Sequence, residues 1–319
     1  MRQNNKIYRK NWIGLLFGVA LSGSLQSQDS TSVYSKEISF KTENDAYLFQ
    51  LKDAYYTNGF FLNYQWTPKG AKQKIIQGVE LSQQIFTPLN RTAQVPEGID
   101  RPYCGYLYAQ YHNTRFSNKA IVRFTGTLGV IGKASGGEWM QNWYHDLLGF
   151  SKFKGWQYQI SNAVGVNAGV TYAYTLYDKN RLKIIPHITA NLGTIYTNAK
   201  LGGTLVLGLF EKNENSALWN ARIDNKKVVR NRNHELFFYW QPFFMAQTYN
   251  ATILGGLGTK STTQVTAAIA PIMFQQAWGL CYAQARWTTR LELVYQSKET
   301  PSQTNPQRYG VIQLCYRMH

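Results

Sequence analysis

The chain has 319 residues, of which 44% are hydrophobic and 15% aromatic, Tyr leading with 22, and its formal net charge is +17. Beyond the N-terminal segment no run of about 18 apolar residues occurs and mean hydropathy is −0.36, which excludes helical membrane spans but not a membrane β-barrel, whose alternating strands average to modest hydropathy. Cys104, Cys281 and Cys315 stand too far apart for a disulfide framework or a zinc site, and G-x-S-x-G, H-E-x-x-H and C-x-x-C are all absent.

Arg2, Lys6, Arg9 and Lys10 precede the apolar run WIGLLFGVALSG at 12–23 and the small polar stretch SLQSQDS. The run is too short to span a bilayer, and its flanks predict a signal peptide over 1–27, cleaved near Ser27. Residues 28–319 are then one exported bacterial domain, undivided by any linker or repeat. Removing the four basic residues lowers the net charge from +17 to +13. A basic exported chain meets anionic surfaces, lipopolysaccharide phosphates foremost. Nucleic acid is excluded as a partner by export and by the lack of a clustered Lys/Arg helix.

Period-two alternation predicts twelve strands at 34–43, 55–66, 75–86, 103–115, 120–132, 164–177, 182–196, 200–210, 235–249, 272–284, 286–297 and 308–317. In IVRFTGTLGVI (121–131), Val122, Phe124, Leu128 and Val130 share one face, against Arg123, Thr125 and Thr127 on the other. RWTTRLELVYQ (286–296) sets Trp287, Leu291, Leu293 and Tyr295 against Arg286, Arg290, Glu292 and Gln296. A soluble sandwich alternates too, but strands of about ten residues with a polar inner face suit an all-β transmembrane antiparallel barrel. GTLGVIGK (126–133) has the wrong spacing for a phosphate loop and reads as strand.

With a periplasmic N-terminus, the loops at 44–54, 87–102 and 133–163 share the outer end, and the turns 67–74 and 116–119 share the inner one. The long polar stretch 211–234 falls on the inner side, against the usual pattern of short periplasmic turns. A miscounted strand before it would move it outside.

Two stretches carry candidate chemistry. FKTENDAYLFQLKDAYYTNGFFLNY (40–64) ends one strand with Asn44 and Asp45 and starts the next with Thr57 and Asn58. A polar hairpin tip is the plain alternative. MQNWYHDLLG (140–149) predicts a short helix with Gln141 and His145 four residues apart on one face, where a packing histidine is the ordinary alternative. Both stretches fall at the outer end of the barrel. An imidazole can take a proton from water, amides and hydroxyls can donate to an oxyanion, and a carboxylate can orient the base or hold a cation.

The motifs ENDAYLFQLKDAYYTNG, QQIFTPLN (83–90), DRPYCGYLY (100–108), LGVIGKASGGEWMQNWYHDLLG (128–149) and KGWQYQI (154–160) resemble, in this order, the outer-membrane lipid A 3'-O-deacylase family. The specific match runs from about residue 35 to 177. The resemblance implies a twelve-stranded barrel in the outer membrane with a short helix in an extracellular loop. It also implies removal of the 3'-linked acyloxyacyl group of lipid A, with a divalent cation, usually Ca2+. It places the general base at His145 with Gln141 four residues before it, the Asn-Asp pair at Asn44 and Asp45, and the hydroxyl at Thr57. Asp45 is the expected cation ligand.

A Glu that the family carries six residues after the His falls on Ser151, for which Glu138 or Asp146 are the candidate substitutes. The chain is expected to be a monomer. A barrel hydrolase acting on phospholipids, and a non-catalytic lipid-binding or pore-forming barrel, stay open as alternatives.

Overall fold

The computed structural model describes residues 33–48, 54–90, 93, 95–149, 152–228, 230–259 and 263–319; the expected signal peptide and Ser151 lie outside the described residues. Alternation translates directly into burial. In β1 (Lys36–Asn44), Ile38 and Phe40 face outward and exposed while Glu37 and Ser39 are buried toward the lumen, as period-two geometry requires. The remaining strands are β2 (Tyr55–Trp66), β3 (Ile75–Thr87), β4 (Cys104–Phe116), β5 (Ala120–Ile131) and β6 (Ala163–Tyr174). They are followed by β7 (Tyr177–Lys179), β8 (Leu182–Gly193), β9 (Tyr196–Leu209), β10 (His234–Asn250), β11 (Ile272–Gln284), β12 (Trp287–Gln296) and β13 (Gln307–Met318).

Neighbours run β6 through β1 to β13 and on to β8, and β6 pairs with β8, which closes a twelve-strand antiparallel barrel. The short β7 pairs only with β8, as an extra strand at its start. Phe124 and Leu128 of β5 and Leu293 of β12 lie exposed on the outer wall, as the alternation indicates. The stretch 126–133 does form strand through Ile131. The three cysteines are free and buried, small apolar side chains in the wall.

Two boundaries differ from expectation by three residues or more: β6 ends at Tyr174 instead of 177, and the β8–β9 turn is displaced. The sequence suggests strands at 182–196 and 200–210, whereas β8 ends at Gly193 and β9 begins at Tyr196. Thr194, Ile195 and Tyr196 have high β propensity. The turn is fixed instead by Asn167, whose Oδ1 accepts from the Ile195 backbone N–H at 3.1 Å while its Nδ2 donates to the Tyr196 carbonyl at 2.6 Å.

The strand count before residue 211 is correct, so the polar stretch 211–234 does lie at the periplasmic end. It folds up into the lower lumen. Glu235, fully buried, accepts from the backbone N–H of Glu211 (2.9 Å) and Ala217 (2.8 Å), from Ser216 Oγ (2.7 Å) and from Arg222 Nη1 (2.8 Å). Arg290 of β12 donates to the Ala217 carbonyl at 2.6 Å, and Gln65 of β2 to the Asn220 carbonyl at 2.7 Å. Ala221 and Ile223 pack with Ile76, Ile121, Ala173 and Ile185 from around the barrel. A buried carboxylate satisfied this completely holds a specific loop conformation. The length of the stretch is that of a plug. Above it lies a polar chamber of about 380 Å³ bordered by Glu43, Tyr56, Tyr106, Lys200 and Tyr309. At the outer end Arg101, Glu299 and Thr252, from three different loops, join across 2.8 and 3.1 Å.

Candidate functional site

The β5–β6 loop carries the helix the sequence predicts, α1 (Gly137–Leu148), which ends at Gly149 in the left-handed conformation (φ 74°) with its N–H bonded to the His145 carbonyl. This is the glycine stop that HDLLG encodes. The helix does not stand above the rim. It packs against β3 and β4, and the alternation says on which side. Tyr106, Tyr108 and Gln110 of β4 line the lumen, so Gly105 faces outward. A Cβ there would meet Ser135 Oγ at 2.2 Å and the Gly137 Cα at 2.8 Å. Only glycine lets the start of α1 approach the wall this closely. Farther along, Tyr144 meets Phe60 of β2 edge-on at 6.2 Å, and Phe60 shares the outward face of Leu62 and Tyr64. The helix therefore hangs on the outer wall.

Polar residues from the wall lie beneath it. Asn44 ends β1 on the face of Ile38 and Phe40, and its Nδ2 donates to Oδ1 of Asn58 across the pair they form in the ladder. Asn44 Oδ1 accepts from the Ala46 N–H at 2.7 Å. In β2 a bulge lies between Tyr56 and Asn58. Tyr56 turns into the lumen, where its hydroxyl donates to Glu43 at 2.7 Å. Asn58 turns outward, and the inserted Thr57 bonds Thr87 Oγ1 at 3.1 Å and donates to the Ile85 carbonyl at 3.4 Å. Bulges re-aim side chains in this way beside functional sites. Both Thr57 and Asn58 are almost fully buried.

From the helix side come Gln141, 0% exposed, and His145, 1% exposed. The His145 ring lies 5.4 Å from Phe153. Phe153 belongs to a cluster with Ile85, Ile99, Tyr103 and Trp156, which ties the histidine to the strand carrying the carbonyl that Thr57 bonds. Tyr47, in the short turn after β1, bonds Thr42 at 3.0 Å and also Tyr144, and burial pushes its phenol above the usual range, so it stays a donor. Asp45 stands one residue past β1, its Oδ2 accepting from the Ala54 N–H at 2.9 Å. It also borders a rim cavity of about 260 Å³ lined by Tyr55, Leu89 and Arg308.

Asn44, Thr57, Gln141 and His145 thus gather between the outward face of β1–β3 and α1, with Asp45 at the edge. Two further residues belong there. Asn58 holds Asn44, and Gln83 is buried on the outward row of β3 between α1 and the wall. Gln83 Nε2 and both polar atoms of Gln141 have no hydrogen-bond partner among the described residues. The signal for Gln83 is in the sequence: it continues the lipid-facing row Val79, Leu81, where an amide has no structural reason to be. Of the substitutes considered for Ser151, Asp146 points away, paired at 3.0 Å with Lys152 on the exposed side of α1. Glu138 is half-buried on the helix's first turn.

No group of three or more His, Cys, Asp or Glu gathers among the described residues. The donors present are oxygens: the Asp45 carboxylate, the amide oxygens of Asn44 and Gln141, and the Thr57 hydroxyl. The uncompensated Gln141 Oε1 in particular fits a hard cation, which takes carboxylate, amide and water oxygens together.

The sequence profile of a family described as outer membrane protein LpxR matches residues 14–318. Among solved structures, LpxR from Salmonella typhimurium superposes with a TM-score of 0.73 at 19% identity, covering 88% of this chain and 100% of that one. The β domain of the Bordetella autotransporter BrkA gives a TM-score of 0.44 at 7% identity over 90% and 100% of the two chains. The KdgM porin gives 0.40 at 8% identity over 89% and 99%. No curated protein matches in sequence.

Proposed function

The chain belongs to the LpxR family of outer-membrane proteins, and from that premise we propose that it hydrolyses the ester of the 3'-acyloxyacyl group of lipid A. The observation that carries the reading is the side of the wall on which the polar residues lie. A pore lining or a periplasmic enzyme would keep such groups in the lumen or at the inner end. Here amides, a hydroxyl and an imidazole are buried on the outer face, where only lipid arrives. A lipid A molecule in the outer leaflet could reach them without leaving the membrane. The motif resemblance in the N-terminal half implies the substrate class, and the family match supports it.

In the proposed reaction His145 takes a proton from water as the water attacks the ester carbonyl, and returns it to the leaving alkoxide. Burial at 1% exposure keeps competing water from the ring. Gln141, one turn before it, orients the water or the ester through its unpaired amide. Asn44, through the Nδ2 hydrogen that Asn58 does not take, and Thr57, by turning its single hydroxyl proton away from the Ile85 carbonyl, donate to the developing oxyanion. Such prearranged donors contribute about 2.7–4 kcal/mol each in other hydrolases. A divalent cation, Ca2+ by the family resemblance, would be held by Asp45 with the Gln141 and Asn44 oxygens and would add positive charge beside the oxyanion. The plug at 211–234 occupies the lower lumen and the Arg101–Glu299–Thr252 ties bridge the outer loops, which speaks against the pore-forming alternative.

The test is to reconstitute the purified barrel in vesicles with lipid A or with phosphatidylethanolamine and measure released fatty acid. Release from lipid A, lost in Gln141→Ala and His145→Ala, is expected. Release from phosphatidylethanolamine alone would transfer the reading to a phospholipid hydrolase.

A further inference from the structure

Helix α1 is amphipathic in the reverse sense to a helix on a water-soluble protein. Its polar Gln141 and His145 face the protein, 0 and 1% exposed, while Trp139, Trp143 and Leu147 face away, 67, 50 and 66% exposed. These three recur at i, i+4 and i+8, one continuous stripe opposite the buried face. The helix itself rests on the outer wall, with Gly105 against its start and Phe60 against Tyr144. The wall around that contact is already the lipid-facing belt: Phe40, Leu62, Tyr64, Val79 and Leu81 are all exposed. The stripe extends this belt away from the barrel. Exposed lysines flank it, Lys133 before the helix and Lys152 and Lys154 after it. Two Trp and a Leu on one face with lysines at the ends are what a helix lying in a membrane interface carries, rings at headgroup level and ammonium groups at the phosphates.

We propose that α1 is an interfacial anchor, its Trp139–Trp143–Leu147 stripe seated in the acyl layer of the outer leaflet against the barrel wall. The occupant of this apolar face is membrane lipid. Anchored there, the helix sets the depth of Gln141 and His145 to that of an acyl ester near the headgroups, and the substrate approaches beneath it along the wall. The anchor goes beyond the deacylase reading and stands on burial and placement.

Because the native cysteines are buried, a single reporter can be placed. A nitroxide on Leu147→Cys, in vesicles of phosphatidylethanolamine and phosphatidylglycerol, is compared with Leu81→Cys on the wall and Lys69→Cys on an exposed turn. The proposal expects collisions with oxygen to exceed those with a water-soluble nickel chelate, as at residue 81. Chelate access equal to that at residue 69 overturns it. So does spin–spin broadening, which would assign the stripe to a second copy of the chain. This readout does not depend on catalysis, so a failed deacylase assay leaves it intact. A second arm uses Trp139→Ser with Trp143→Ser in protein that folds to the wild-type heat-shifted form. Hydrolysis of lipid A packed in bilayers should fall at least tenfold, with less than a twofold change on the same lipid dispersed in detergent. Equal change in both overturns the anchoring role.

Discussion

Gly105→Ala tests whether the helix-on-wall arrangement is what makes the site. The added Cβ would sit 2.2 Å from Ser135 Oγ and 2.8 Å from the Gly137 Cα, where ordinary contact begins at 3.4 Å. The Ser135 hydroxyl can rotate, at the loss of its 2.6 Å bond to the Gly132 carbonyl. The Gly137 backbone cannot, and it is short by 0.6 Å. The first turn of α1 must therefore lift by roughly half an ångström to one ångström, since β4 is fixed by ladders on both sides and the helix is held by one loop. Displacement of reacting groups by about 1 Å costs about 100-fold in rate. Fatty acid release from lipid A in vesicles should fall by that order while the barrel keeps its heat-shifted mobility on gels. Gly126→Ala, whose Cβ would meet nothing within 4 Å, is the matched control and should leave the rate unchanged. A Gly105→Ala rate within threefold of wild type would mean that the close approach has no bearing on the site.

Gln83→Ala should lower the rate about tenfold without lowering the unfolding midpoint in urea, since it removes a buried amide whose Nε2 has no bond to lose. Glu235→Ala leaves the buried Arg222 guanidinium without its carboxylate and should destabilise the plug by about 3–5 kcal/mol, read as a lower thermal midpoint. Deleting 212–232 should turn a silent barrel into a conducting one in planar bilayers. Chelation of divalent ions with EDTA should suppress hydrolysis reversibly, Ca2+ restoring it, with a weaker apparent Ca2+ affinity in Asp45→Asn.

Much of the barrel was legible in the sequence because a wall with lipid on one side and polar groups on the other writes period two into each strand. The alternation in β5 and β12 placed Phe124, Leu128 and Leu293 on the outside without any other information. The helix was legible from its spacing and its Gly149 stop. The side of the wall on which the site lies was not. Asn44 follows the β1 alternation outward, but the bulge at Thr57 breaks it in β2, and a bulge has no composition signal there. Propensity misplaced the β8–β9 turn for a related reason: one asparagine side chain fixes it against two good strand formers, Thr194 and Ile195. The plug was invisible because its stability resides in contacts with Gln65, Glu235 and Arg290, each far from its partners or on another strand. Gln83 could have been found as an amide in an apolar row.

The proposal that matters most is that His145, on the wall-facing side of α1 and on the lipid side of the barrel, drives hydrolysis of lipid A. Mass spectrometry of lipid A from cells expressing wild type, His145→Ala or an empty vector tests it most directly. A species lighter by one acyloxyacyl group is expected in wild type alone. Spectra from wild type identical to the empty vector, or His145→Ala as active as wild type, would contradict it.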